Sequence, residues 1–200
     1  SPLSWTASTL PGTATKVVMN SSDAGTWVTD GTTIQEFTGA SVLPPLPSGV
    51  TVVDMVSGVT DTGDGYVGVL GSDGNAYRIH INAPTPTWST SILPAGTATK
   101  IIMNSEGAGT WVTDGSSIRE FTGAITLPAL PGGATVVDIV SGISAGTGYV
   151  AVRASDGNVY RANLSAPSPT WLASSLAPGT ATQLAMNSKD AGTWVAGEGC

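Results

Sequence analysis

Charge is scarce in this sequence: charged side chains make up 10% of its 200 residues, against about a quarter in an ordinary soluble domain. The seven basic residues, Lys16, Arg78, Lys100, Arg119, Arg153, Arg161 and Lys189, are scattered singly, and with fourteen acidic ones they give a net charge of −7. Binding to a nucleic-acid duplex needs clustered Lys and Arg to displace counterions, so nucleic acid is excluded as a partner. Long apolar runs are missing too. Val17-Val18-Met19 and Ile101-Ile102-Met103 end after three residues, far short of the ~18–20 that a spanning helix needs. No membrane span is expected, and the chain reads as soluble.

Reactive side chains are equally sparse. The single cysteine, Cys200, is the last residue. It excludes an internal disulfide or a zinc cluster and leaves an exposed thiol or a link between chains. The single histidine, His80, has no local nucleophile or carboxylate to work with, as a general base requires. Asp54 and Asp138 could suggest the paired carboxylates of a glycosidase, which need different environments. They occupy equivalent positions of an internal repeat, so their environments should match, which favours a structural role. Asp61-Thr62-Gly63-Asp64-Gly65 carries calcium-type oxygen ligands, but its counterpart Ser144-Ala145-Gly146-Thr147-Gly148 has no carboxylate. It reads as a solvated loop. Neither an enzyme, a metal site nor a cofactor is expected.

What the chain does have is repetition, which must be sought before anything else. Trp5, Trp88 and Trp171 lie 83 residues apart, and TATKVVMNSSDAGTWVTDG (13–31) returns as TATKIIMNSEGAGTWVTDG (97–115) and, degraded, from 180 onward. With Trp27, Trp111 and Trp194, the pairs Tyr66/Tyr149, Tyr77/Tyr160 and Phe37/Phe121 complete the set, so every aromatic belongs to the repeat. That repeat is itself double. Asp-Gly pairs at Asp30, Asp73, Asp114 and Asp156 recur every 41 to 43 residues, which defines alternating odd and even units.

Thr, Val and Ile dominate short runs separated by Gly, Pro, Asn and Asp, the signature of strands. In an even unit, 51–56 and 65–70 lead through Asp73-Gly74 into 75–81 and then 86–93. Asp-Gly between alternating runs predicts a type I′ hairpin. The expected fold is all-β: a β-propeller of about five four-stranded blades. The expected blades are 13–50, 51–96, 97–133 and 134–179, with a partial blade at 180–200 and an orphan outer strand at 1–12. In that reading Leu3, Trp5 and Leu10 enter a core, and the two ends pair either within the ring or with a neighbouring chain.

The stretch Asp156-Gly157-Asn158-Val159-Tyr160-Arg161-Ala162, followed by a Pro-containing segment and Trp171, resembles the tachylectin-2-like family of lectin-type β-propellers. The same arrangement runs from Asp73 to Trp88. The resemblance covers the even units and implies a five-bladed ring that binds amino sugars at repeat-related sites without catalysis. The chain departs from that family in unit length and in its unfinished last blade.

Trp and Tyr present an apolar face with a polar handle and so can stack on sugars. The Trp27, Trp111 and Trp194 set, inside a predicted strand, is expected between blades. The set preceded by Pro lies next to a loop. Candidate ligand contacts are therefore Asp73, Asn75, Arg78 and Trp88, and again Asp156, Asn158, Arg161 and Trp171. Abundant Thr, Ser and Gly and the sequons at Asn20 and Asn163 point to an extracellular, secreted protein or a virion surface. Two functions compete: a binding module for glycans or glycoproteins, and a structural subunit of a filament or virion surface that self-associates through its ends.

Overall fold

The computed structural model describes residues 2–198, so the expectation for Cys200 lies outside the described residues. Five antiparallel sheets follow one another, each a simple meander. The first contains β1 (Lys16–Met19), β2 (Thr26–Thr29) and β3 (Ile34–Glu36). The second holds β4 (Val52–Val59), β5 (Gly65–Gly71), β6 (Ala76–His80) and β7 (Trp88–Thr90). In the third are β8 (Lys100–Met103), β9 (Thr110–Thr113) and β10 (Ile118–Glu120). The fourth consists of β11 (Val136–Ser144), β12 (Thr147–Ala154), β13 (Val159–Asn163) and β14 (Leu172–Ala173). The last has β15 (Ala181–Met186) and β16 (Thr193–Gly197). A short 3-10 turn at Pro131–Gly133 is the one helical element among the described residues.

Sheets of four strands hold only for the even units. In the odd units the fourth strand shrinks to single bridges, Gln35 with Val42 and Arg119 with Thr126. Pro44, Pro45 and Pro47 follow the first bridge, and Pro128 and Pro131 the second; proline has no N–H for a ladder. The Asp-Gly turns also differ from expectation. Gly74 N donates to Gly71 O at 3.0 Å and Gly71 N to Asn75 O at 2.8 Å, and in that turn only Gly74 has positive φ. That is a three-residue loop with a bulged glycine rather than a type I′ turn. Glycine is required there, since a Cβ on Gly74 would sit 2.6 Å from Gly96 O.

The sheets stack face to face. Trp27 packs on Met55, Val67, Val69 and Ile79 of the second sheet, and Trp111 packs on Ile139, Val150 and Val152 of the fourth. In the other direction, Leu70 and Ala76 cover Ile101, Val112 and Phe121. Burying each such large side chain is worth about 1.5–3 kcal/mol, so stacking between sheets holds the arc together. The first strands β1, β4, β8, β11 and β15 pack successively side by side, and no comparable packing joins β15 back to β1.

Two expectations about the ends are corrected. Residues 2–10 form no strand, and Leu3 and Trp5 stand fully exposed rather than in a core. What ties the segment down is Thr9, whose N–H donates to Phe37 O at 3.2 Å and whose Oγ1 accepts from Gln35 Nε2 at 2.9 Å. Trp194 is 77% exposed, whereas Trp27 and Trp111 are 5% and 4% exposed, because no sheet among the described residues covers it as the second and fourth cover those two. Asn20, read as part of a sequon, is buried, and its Oδ1 accepts Ser22 N at 2.8 Å; it is not presented for modification.

Candidate functional site

Asp54 and Asp138 sit where β4 and β11 bulge. Each carboxylate accepts the next backbone N–H, from Met55 and Ile139, at 2.9 Å. Both serve the backbone, as their equivalence suggested.

The eight candidate ligand contacts do not converge on one cavity. Asp73 accepts from Tyr77 OH at 2.5 Å and Asn75 Nδ2 at 2.7 Å, and Asn75 Oδ1 accepts Gly96 N at 2.9 Å. Burial works against the Asp73 charge, but the Tyr77 and Asn75 hydrogen bonds together outweigh it and hold the carboxyl below its ordinary value. The second copy is the same: Asp156 accepts from Tyr160 at 2.6 Å and Asn158 at 2.9 Å, and Gly179 N donates to Asn158 at 2.9 Å. Arg78 and Arg161 reach forward, donating to Thr110 Oγ1 at 3.1 Å and Thr193 Oγ1 at 3.2 Å of the next sheet. Trp88 and Trp171 reach backward, their indole N–H groups donating to Pro44 O and Pro128 O at 2.8 Å. The arginines and tryptophans thus stitch each even sheet to its two neighbours. The sequence pattern marked joints, because joints repeat as faithfully as binding sites do.

His80 also differs from expectation. A carboxylate does reach it: Asp64 Oδ1 lies 3.2 Å from Nε2, and the imidazole stacks on Tyr66 with centroids 4.7 Å apart. The same Asp64, through Oδ2, accepts from Thr62 Oγ1 at 3.0 Å within the 61–65 loop. No group of three or more metal-ligating side chains occurs among the described residues.

The geometry that does repeat as a cavity lies between each odd sheet and the even sheet that follows. One cleft of about 200 Å³ is lined by Asn20, Trp27, Glu36, Ser57 and Tyr66. Its counterpart, also about 200 Å³, is lined by Asn104, Trp111, Glu120, Ser141 and Tyr149. Each member of one set is the repeat equivalent of a member of the other. Trp and Glu arrive on the second and third strands of the odd sheet; Ser and Tyr come from the first two strands of the even sheet. Gly58 and Gly142 sit beside the serines with no room for a side chain, since a Cβ would lie 2.5 Å from Asn104 O and Asn187 O.

Within these clefts the serines are anomalous. Ser57 is 6% exposed, and neither its Oγ nor that of Ser141 has a hydrogen-bond partner in the protein. A buried hydroxyl left unpaired costs about 1–3 kcal/mol, so such groups mark places where a ligand or water completes the bonding. Glu36 is held below its ordinary carboxyl range, chiefly by the hydroxyl of Thr38, and therefore presents a charge. Behind the first tyrosine, the Arg78 guanidinium lies 5.3 Å from the Tyr66 ring; Arg161 lies 5.1 Å from Tyr149. Two of the eight candidates thus back the clefts without lining them. Ser57 and Glu36 escaped notice in the sequence, although polar residues recurring in both copies of an apolar strand, as in Val56-Ser57-Gly58 and Val140-Ser141-Gly142, could have flagged them.

No protein-family model matches the chain, and no curated protein matches it. Solved structures do. BBS1N, in complex with ARL6DN, superposes with a TM-score of 0.60 at 17% identity, over 94% of this chain and 65% of that one. The Cps50 (Swd1) β-propeller domain of Myceliophteria thermophila gives 0.58 at 13% identity, over 92% of this chain and 62% of that one. The chain spans less than two thirds of each. With the stacked meanders, these likenesses show the fold: this chain is built as a β-propeller.

Proposed function

We propose that the chain is a non-catalytic, extracellular binding module whose two clefts each hold a sugar ring of a glycan or glycoprotein. The single observation that carries this reading is the pair of repeat-related clefts, each with an indole, a phenol, a carboxylate and an unpaired buried serine hydroxyl. Aromatic faces suit the C–H face of a sugar, and the serine and glutamate suit its hydroxyls. About 200 Å³ is less than the ~300–1,000 Å³ of ordinary ligand pockets, which fits one terminal ring rather than an oligosaccharide. The lectin-type character of the propeller is part of this proposal.

The test is a glycan array followed by calorimetric titration of any hit. Two equivalents bound per chain, reduced to one by Tyr66→Ala or by Tyr149→Ala, is the expected result. An array without hits would overturn it. Glycoside turnover that Asp54→Asn or Asp138→Asn abolishes would overturn the non-catalytic part.

A second reading, a structural subunit of an extracellular assembly, is favoured by the exposure of Trp194, Trp5 and Leu3. Sedimentation of the full chain separates the two, since a subunit of this kind forms large species without any glycan.

A further inference from the structure

The first and fifth sheets are both of the odd type, and each exposes a face that its repeat equivalents cover with an even sheet. On the fifth, Trp194 is 77% exposed where Trp27 and Trp111 are buried against the following even sheet. On the first, Val17 is 66% exposed where its counterpart Ile101 is 1% exposed beneath the preceding even sheet. The first sheet also carries a vacant socket. In the third sheet, Phe121 and Thr110 receive Arg78, with the guanidinium 4.6 Å from the Phe121 ring and Nη1 3.1 Å from Thr110 Oγ1. Phe37 and Thr26 are the equivalents in the first sheet. Thr26 Oγ1 makes the same local bond as Thr110, donating to its Ala24 O at 2.9 Å.

Residues 2–10 already stand where the last strand of that even sheet would run. Thr9 N donates to Phe37 O as its counterpart Ile92 N donates to Phe121 O. Trp5, equivalent to Trp88 and Trp171, is fully exposed, whereas those two give their indole N–H to a proline carbonyl of the odd sheet before. At the axis, Ser21 Oγ lies 3.0 Å from both Ser105 Oγ and Ser188 Oγ. These equivalents from the three odd sheets meet at Ser21, which leaves one even position between the fifth sheet and the first.

We propose that the faces around Trp194 and Phe37 form a single docking surface for one further polypeptide sheet of the even type. It is ~50 residues long, the remainder of three double repeats. That occupant supplies an arginine over Phe37 and onto Thr26, an apolar face over Trp194 and a strand alongside residues 2–10, and the odd-type segment leading into it supplies a proline carbonyl for Trp5. A second copy of this chain does not fit directly, because its free faces are odd as well and would set odd against odd.

The test extends the full chain at its carboxyl end with a second copy of its own residues 118–166, and follows Trp5, Phe37 and Trp194 by hydroxyl-radical footprinting. Several-fold protection of all three, with the extended protein monomeric, is expected. Arg161→Ala within the added copy should restore reactivity at Phe37 but not at Trp194. An extension of equal length in the odd phase, residues 76–124, is the control and should protect none of the three. Equal protection by both extensions overturns the proposal. So does no protection by residues 118–166 nor by the equivalent residues 34–83, or a natural chain in which dimerisation already shields Trp194.

Discussion

The two clefts share a frame and differ in charge. Both have the same Asn, Trp, Glu, Ser and Tyr, yet the first is also lined by Asp23 and Asn82, whereas the second has Ile125 and no such polar pair. Position 107, the counterpart of Asp23, is glycine, and Thr147 replaces the Asp64 that braces His80 behind Tyr66. Duplication therefore preserved what shapes the cavity and let its rim drift. A ligand common to both must rely on the shared set; one that carries a positive charge should prefer the first cleft, and more so at low salt.

The largest expected effect breaks one cleft and spares the other. Trp111→Ala empties a buried site between the third and fourth sheets and should cost about 3–5 kcal/mol in urea unfolding. Trp27→Ala should do the same on the first side. Trp194→Ala, at the exposed equivalent position, should change stability by less than about 0.5 kcal/mol. Similar losses at all three would mean that Trp194 is covered in solution.

Next in size are the arginines behind the tyrosines. Arg78 lies over both Tyr66 and Phe121, whereas Arg161 lies over Tyr149, with no phenylalanine beneath it. A cation over an aromatic ring contributes about 0.5–2 kcal/mol. Arg78→Ala should therefore destabilise more than Arg161→Ala, and equal losses would show that the Phe121 contact contributes nothing.

Much of this architecture was legible in the sequence, and the reason is covalent. Hairpins form between neighbours in the chain, so Asp73-Gly74 and Asp156-Gly157 announce them, and the aromatic spacing announces the stacking of units. The clefts were not legible. Trp27 and Tyr66 belong to different units, and only the packing of one sheet on the next brings them to one cavity. The structural bonds of Asp73, Asn75, Arg78 and Trp88 were hidden for a similar reason. Asp73 and Asn75 bond within their unit, and Arg78 and Trp88 bond across to the next and the previous one; a sequence shows that they repeat without showing what they touch. Ends mislead for a related reason: Trp5 repeats a core residue, but burial needs the neighbour that its copies have.

Acid should affect the two even sheets alike, in contrast with the clefts. Asp73 and Asp156 are each opposed by burial and held below their ordinary value by the paired tyrosine and asparagine hydrogen bonds. A carboxyl depressed by folding stabilises the protein above its unfolded pKa, near 3.9, and that contribution is lost as pH falls through the lower folded value. Asp73→Asn and Asp156→Asn should each flatten part of the acid limb of stability below about pH 4, and the double variant should flatten both parts. An unchanged acid limb in the double variant would place its origin elsewhere.

The smallest effect separates the clefts once more. The turns that close them contain Ala24 and Ala108, with φ of 59° and 53°, a left-handed conformation that costs a residue with a Cβ about 1 kcal/mol or more. Glycine adopts it freely but loses more entropy on folding, which offsets roughly 0.4–1 kcal/mol. Ala24 is exposed, so its methyl contributes no burial; Ala108 is 5% exposed, and removing its methyl forfeits about 0.8 kcal/mol. Ala24→Gly should leave stability unchanged or raise it by up to about 0.6 kcal/mol, and Ala108→Gly should lower it by a few tenths to about 1 kcal/mol. Chemical denaturation of the two variants side by side reads the difference directly. A gain at Ala108 that equals or exceeds the one at Ala24 would show that the second turn is not packed as tightly as its burial implies.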